Sequence, residues 1–134
     1  MPTKPPTFRN PNAQTRVAQA KSYDKRRGTA HQRGYTYALR QRMDAFKRDH
    51  PLCLGCQAVG RITVTEVTDH VVPAKGDRDL LWSQANWQPA CREHHDIIKQ
   101  TLEAMYARGT IAEAALRLDS PTAVRLTLEM LGNG

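Results

Sequence analysis

Apolar residues before the middle of the chain recur at a helical spacing. Leu39, Met43 and Phe46 follow the four-then-three spacing of one helix face, whereas the arginines and lysines between them fall on other faces. This pattern predicts a helix over residues 36–49. The helix is expected to stop before Pro51, because a proline disfavours helical geometry in the residue that precedes it.

After this helix the chain has short β-branched runs, and farther on its apolar residues again follow a helical period. Residues 61–68 are rich in Ile, Val and Thr and predict a strand, and residues 86–90 predict a short second strand. From Glu93 onward the apolar positions again follow a helical period until Gly109, which is a typical helix stop.

Two further helices are predicted to close the chain and to pack on the core. Thr110 and Glu113 have the spacing of a capping box, and Ser120 followed by Pro121 is a typical helix start. Strands followed by helices in one short chain predict an α+β fold. A chain of 134 residues is long enough for one domain and too short for two that each bury a core.

The first part of the chain differs from the rest in composition and charge. Residues 1–34 are rich in Pro, Asn, Gln and basic residues, which predicts a flexible basic arm. Twelve basic and three acidic residues give the first fifty positions a charge of +9, and eight basic and ten acidic residues give the remainder −2. Such an arm suits binding to a polyanion, but a solubilising tail has the same composition.

Hydropathy and cysteine content indicate the compartment. No stretch approaches the roughly 18 consecutive apolar residues of a membrane span, and the first residues do not resemble a secretion signal. We therefore expect no membrane association and a cytoplasmic location, in which thiols stay reduced. Three cysteines cannot all pair within one molecule, so a disulfide framework is not expected.

The cysteines instead follow the spacing of metal ligands. Cys53 and Cys56 are separated by two residues, and Cys91 and His94 repeat that spacing farther along the chain. Four Cys and His ligands satisfy a structural Zn²⁺ completely. His95 could replace His94 in this set, because four-residue spacing from Cys91 is also allowed. We favour His94, since it keeps the two-residue spacing.

A zinc module leaves Asp69, His70, Asn86 and His95 unused. Alternation along extended chain directs Asp69 and His70 to opposite sides, and successive helical residues such as His94 and His95 diverge by about 100°. One arrangement accommodates these directions: Asp69 and His95 hold a divalent cation with open positions, and His70 stands across from it as a base.

The ordered set Asp69-His70-Val-Val-Pro, Asn86-Trp-Gln-Pro and Cys91-x-x-His94-His95 resembles the HNH endonucleases, in particular the small zinc-stabilised HNH proteins of phages and prophages. The resemblance covers about residues 33–101. It implies a ββα-metal (His-Me finger) core over residues 35–108 with a zinc knuckle and a preceding helix. The basic arm and the C-terminal helices in residues 109–134 lie outside it.

The resemblance also implies a role for each remaining motif residue. His70 would be the general base, Asp69 and His95 would bind the catalytic Mg²⁺ or Mn²⁺, and Asn86 would brace the loop between the strands. The family commonly has Cys at the position of His94 and often has Lys three residues after the last His, where this chain has Ile98.

These expectations describe a DNA endonuclease or nicking enzyme, acting as a monomer in a bacterial host cytoplasm. By resemblance, its setting would be phage DNA packaging with the large terminase and the portal. The alternatives are a non-catalytic zinc-ribbon DNA-binding module and a protein adaptor. Duplex DNA would be held through its backbone by basic residues of the arm: Lys21, Lys25, Arg26, Arg27 and Arg33.

Overall fold

The computed structural model of the chain describes residues 34–132. The predicted basic arm therefore lies outside the described residues except for Gly34. The described part combines helices with one small antiparallel sheet of two strands, which confirms the predicted α+β class. No helix within this part is long and apolar enough to cross a membrane.

Seven regular elements follow one another along the described part. They are α1 Tyr37–Asp49, α2 Leu54–Ala58, β1 Val67–His70, α3 Arg78–Trp82, β2 Trp87–Ala90, α4 Gln100–Ala107 and α5 Pro121–Met130. Short 3₁₀ turns cover Gln84–Asn86 and Glu113–Leu116. A π-helical turn over His94–Lys99 leads directly into α4.

Helix α1 begins one residue after its predicted start because Thr36 caps it. The Thr36 hydroxyl accepts a hydrogen bond from the Leu39 amide at 3.3 Å, which satisfies one of the free N–H groups at the helix start. Leu39 and Phe46 are buried, as their spacing predicts. Lys47 and Arg48 lie in the last turn, where positive charge interacts favourably with the helix dipole.

The two strands form an antiparallel ribbon whose register determines the placement of the motif residues. Asp69 lies opposite Gln88, and His70 lies opposite Trp87. Because successive strand residues point to opposite faces, Asp69 and His70 project from different sides of the ribbon. The Thr68 hydroxyl donates to the Met43 carbonyl at 2.7 Å and ties the His70 face to α1.

Two apolar clusters cover the two faces of this ribbon. On the His70 face, Trp87 packs edge-to-face on Phe46, with ring centroids 5.7 Å apart. On the Asp69 face, Ala90 belongs to a larger cluster that includes residues of the C-terminal helical region. That cluster consists of Val71, Ala90, Ile98, Leu102, Leu116, Leu118, Ala123 and Leu126.

The predicted strand over residues 61–68 is mostly wrong. Only Val67 and Thr68 of that run lie in β1, which extends on to His70, and an isolated bridge joins Leu52 and Val64. Ile62 and Val64 are 85% and 68% exposed. Their β-branched side chains favour extended backbone, but a strand also needs a partner, and β2 is too short to supply one this far along.

The start of the C-terminal segment also differs from its prediction. The Thr110–Glu113 capping box is absent: a 3₁₀ turn begins at Glu113 after Ala112 with no side-chain cap. Glu113 instead accepts a hydrogen bond from the Tyr106 hydroxyl at 3.3 Å. The predicted cap at Ser120 is confirmed, since its hydroxyl accepts from the Ala123 amide at 3.1 Å.

Candidate metal centres and catalytic residues

The four predicted zinc ligands come together in one buried cluster. The ligand atoms of Cys53, Cys56, Cys91 and His94 all lie within 4.8 Å of one another. In a tetrahedral site with Zn–S near 2.3 Å and Zn–N near 2.0 Å, two sulfurs are about 3.8 Å apart and sulfur and nitrogen about 3.5 Å apart. The Cys56 and Cys91 sulfurs are 3.8 Å apart, and they lie 3.5 and 3.4 Å from His94 Nδ1. The cluster can therefore hold a metal ion such as zinc.

The glycine between the first two cysteines is required by the imidazole ring of the fourth ligand. A Cβ added at Gly55 would approach His94 Cδ2 and Nε2 to 2.2 and 2.4 Å, far inside van der Waals contact. Gly55 lies in α2 and has no left-handed backbone angle, so a tight turn does not account for this glycine. The bare backbone leaves room for His94.

Without a metal ion, burial and mutual repulsion disfavour the simultaneous ionisation of all three cysteines. Burial raises the pKa of the Cys53 thiol, but the neighbouring His94 imidazole and the backbone around Cys56 and Cys91 outweigh burial and lower that pKa to about 6. Burial, followed by repulsion from Cys53 and Cys56, raises the pKa of Cys91 to about 12. A bound divalent cation would supply the positive charge that stabilises the cysteines as thiolates.

A threonine of α5 determines which nitrogen of His94 faces the sulfurs. The Thr127 hydroxyl donates its proton to the Ala123 carbonyl at 2.8 Å, so its oxygen can only accept from His94 Nε2, 3.1 Å away. His94 therefore carries its proton on Nε2, and the Nδ1 lone pair is left for a metal.

The two adjacent histidines lie in different surroundings, and His94 is the one that joins the cysteine cluster, as the favoured prediction states. Both lie in the π-helical turn, a type of distortion that is frequent at functional sites. His94 is fully buried among the cysteines, whereas the His95 side chain is one-third exposed and lies beside Asp69. His95 Nδ1 is 3.0 Å from Asp69 Oδ1.

The spacing of Asp69 and His95 suits two neighbouring ligands of one cation. Ligands at 90° and about 2.1 Å from Mg²⁺ are separated by about 3.0 Å, which the two atoms match. In the metal-free chain a proton joins them. The hydrogen bond to Asp69 raises the pKa of His95, and hydrogen bonds from His95 and Gln88 together with the Lys99 charge lower that of Asp69 despite its burial.

Gln88 and Lys99 hold the other oxygen of Asp69. The sequence alone does not assign either residue to the site. The Gln88 amide donates to Oδ2 at 2.8 Å, and the Lys99 ammonium lies 3.3 Å from the same atom. Lys99 is 1% exposed and also donates to the His70 carbonyl at 2.7 Å. The ammonium group of this lysine is therefore hydrogen-bonded and ion-paired inside the fold. The signal for Gln88 is its register opposite Asp69, which only the strand pairing reveals.

His70 is oriented by a backbone carbonyl. Its Nε2 lies 2.8 Å from the Leu81 oxygen, which can only accept, so Nε2 carries the proton. The Trp87 indole donates to the same oxygen at 3.0 Å. The Nδ1 atom of His70 then has the lone pair that a general base needs. The ring of Tyr35 meets the imidazole edge-on, with centroids 6.3 Å apart.

Asn86 fastens the loop between the two strands. Its amide nitrogen donates to the carbonyls of Val72 and Leu80 at 2.9 and 3.0 Å, and its side-chain oxygen accepts from the Val72 amide at 2.9 Å. These bonds hold the chain just after His70 against the segment that ends near Leu81. Asn86 is thus bonded to backbone on both sides of the loop.

The predicted DNA-contacting residues Lys21, Lys25, Arg26, Arg27 and Arg33 lie outside the described residues. Comparison with known proteins finds no matching protein-family model, no matching curated protein and no matching solved structure.

Proposed function

We propose that the chain is a divalent-cation-dependent DNA endonuclease or nicking enzyme, with an HNH-type ββα-metal core stabilised by zinc at the Cys53, Cys56, Cys91 and His94 cluster. The observation that carries this proposal is the arrangement at the end of β1. Asp69 Oδ1 and His95 Nδ1 lie 3.0 Å apart, a separation that neighbouring ligands of one cation would also have. His70 projects from the other face of the same strand, and its Nε2 is hydrogen-bonded to the Leu81 carbonyl.

In this proposal His70 takes the proton from the attacking water at Nδ1. The Leu81 carbonyl keeps the other ring proton in place, and the bonds of Asn86 hold the loop that presents this carbonyl. Asp69 and His95 would hold Mg²⁺ or Mn²⁺. Such a cation, when bound, neutralises charge on the scissile phosphate and on the leaving 3′ oxygen.

Duplex DNA is the proposed substrate, held through its phosphates by the basic arm. Such binding should weaken steeply with salt and depend little on base sequence. We further propose that the activity serves phage DNA packaging together with the large terminase and the portal. A pull-down from infected cells that recovers neither partner counts against this setting.

A non-catalytic zinc-ribbon DNA-binding module is the second candidate, and one observation favours it. The buried Lys99 ammonium already lies 3.3 Å from Asp69 and supplies a positive charge without any metal. The two candidates differ in cation stoichiometry. The nuclease should bind one tight zinc and one weak, exchangeable cation, whereas the binding module should bind only the zinc.

Relaxation of supercoiled plasmid tests the nuclease. Zinc-loaded wild type and His70→Ala are incubated with EDTA, Mg²⁺ or Mn²⁺, with His50→Ala as the control histidine at the end of α1. The proposal predicts metal-dependent nicking that His70→Ala lowers by at least about 100-fold and His50→Ala preserves. No nicking by folded wild type with either cation would support the binding module instead.

A further inference from the structure

The C-terminal segment, Glu113–Met130, is hydrogen-bonded directly to the cysteine and histidine cluster and, through Gln88, to Asp69. It supplies no metal ligand and no catalytic group of the proposed nuclease. Its apolar residues pack on the Asp69 face of the ribbon, which any helix of suitable shape could do. Its polar contacts are more specific, because they end on His94 and, through Gln88, on Asp69.

The contact with the zinc cluster is made by one fully buried hydroxyl. Thr127 is 0% exposed, and its proton is committed to the Ala123 carbonyl. Its oxygen therefore accepts from His94 Nε2 and holds the ring with Nδ1 toward the sulfurs. Without this acceptor, the buried Nε2–H would lack a partner, and the other tautomer would compete.

The contact with Asp69, which is paired with His95, passes through the buried side-chain amide of Gln88. The Leu118 amide can only donate, so it fixes the Gln88 oxygen at 2.9 Å, and the Gln88 nitrogen must then face Asp69. The Leu116 carbonyl accepts from the same nitrogen at 3.3 Å. The backbone of the C-terminal segment thus determines which group Asp69 Oδ2 meets, and Oδ1 remains for His95 and a cation.

We propose that the C-terminal segment positions the ligands of both centres, with Thr127 orienting His94 and the Leu116–Leu118 backbone orienting Asp69 through Gln88. The Thr127 part depends only on the cysteine and histidine cluster. The Gln88 part rests on the proposed function, because it concerns the catalytic cation. Partners of this kind typically change metal affinity by about 10- to 100-fold when they are removed.

A threonine series tests the zinc part without any need for nuclease activity. Thr127→Val keeps the shape and removes the acceptor, Thr127→Ser restores the hydroxyl, and Thr122→Val alters a half-buried threonine of the same helix. Zinc affinity is measured by chelator competition, and ligand geometry by the absorption spectrum of the Co²⁺-substituted protein.

We expect Thr127→Val to weaken zinc binding by about 10-fold or more and to change the Co²⁺ spectrum. Thr127→Ser should restore both readouts, and Thr122→Val should match wild type. If folded Thr127→Val binds zinc as wild type does with an unchanged spectrum, Thr127 only packs and the zinc part is overturned.

The cation part is tested first in the wild type, where folding is not in question. Saturating Mg²⁺ should shift the side-chain amide resonances of Gln88 but not those of exposed Gln84. Gln88→Met should weaken Mn²⁺ binding by about 10-fold with zinc content unchanged, and Gln84→Met should not. Unshifted Gln88 resonances, or unchanged Mn²⁺ affinity in Gln88→Met, overturn this part.

The failure of the proposed function looks different. A wild type that binds zinc, shows no second cation site and does not nick DNA removes the nuclease and the Gln88 part together. The Thr127 series still decides the zinc part in that case, because its readouts involve only the cysteine and histidine cluster.

Discussion

If Asp69 and His95 hold the proposed cation, its binding should release a proton and should therefore strengthen as the pH rises. In the metal-free chain Asp69 Oδ1 and His95 Nδ1 share a hydrogen bond of 3.0 Å. A cation needs the lone pair of His95 Nδ1, so it competes with the proton held there. The hydrogen bond to Asp69 raises the pKa of His95, and this competition therefore extends above the ordinary histidine range.

The magnitude follows from one proton exchanged for each cation bound. Below the raised pKa of His95, each unit of rising pH should lower the Kd about tenfold, which is about 1.4 kcal/mol of binding free energy. Above that pKa the Kd should level off. The metal-free pair has the complementary dependence. His95 contributes stability that is lost as pH rises through its raised pKa, and Asp69 contributes stability that is lost as pH falls through its lowered pKa.

Electron paramagnetic resonance of free Mn²⁺ measures this Kd directly. Zinc-loaded wild type is titrated from about pH 5.5 to about pH 8.5 at constant ionic strength, with His95→Gln as the matched variant. We expect a steep dependence in wild type and weak, nearly pH-independent binding in His95→Gln. A wild-type Kd that stays constant over the whole pH range would refute the reasoning that the cation displaces the proton on His95 Nδ1.

Three further predictions concern the fold around the site. Gly55→Ala should lower zinc content, because the added Cβ meets the His94 ring, and normal zinc content in this variant would contradict the contact. Gly60→Ala places its Cβ in open space at φ 80°, so backbone strain should lower its thermal stability while zinc is retained. Removal of zinc by a strong chelator should abolish most of the cooperative unfolding transition, and an unchanged denaturation curve would show that the cluster is not structural. Lys75 has a left-handed backbone angle, φ 46°, so Lys75→Asn should stabilise the chain by up to about 1 kcal/mol in urea unfolding, and a loss of stability would count against backbone strain there.

The zinc cluster is the part of the site that the sequence predicts best. Two-residue spacing brings both side chains of each pair to one point, whatever the rest of the fold does. The preference for His94 over His95 follows from the same local geometry, and the structure places them accordingly. The Ser120 cap is predictable for a similar reason, since its partner Ala123 is three residues away.

Contacts between distant residues could not be predicted in this way. Gln88 lies 19 residues from Asp69 in the chain, and Thr127 lies 33 residues from His94. Neither is part of a spacing pattern, because each acts through the packing of one element on another. Lys99 is similar: no spacing pattern places it beside Asp69, where it is buried.

Local propensity is misleading where no neighbouring element supports it. The β-branched run before Val67 favours extended backbone but has no continuous partner strand, so the predicted strand begins too early. Thr110 and Glu113 have capping-box spacing, but the Thr110 amide donates to the Met105 carbonyl at 2.9 Å and completes the turn that ends α4. Tertiary and neighbouring contacts outweigh both local signals.

The most direct test of the central claim is oxygen transfer from water to a cleaved DNA end. Zinc-loaded wild type is incubated with DNA and Mn²⁺ in heavy-oxygen water, and the termini are analysed by mass spectrometry. If His70 activates water and the 3′ oxygen leaves, each break has one heavy oxygen in a 5′-phosphate and an unlabelled 3′-hydroxyl, and His70→Ala forms almost none of this product. Unlabelled termini, or a folded wild type that leaves the DNA intact, would contradict the assignment of Asp69, His70 and His95 as a hydrolytic centre.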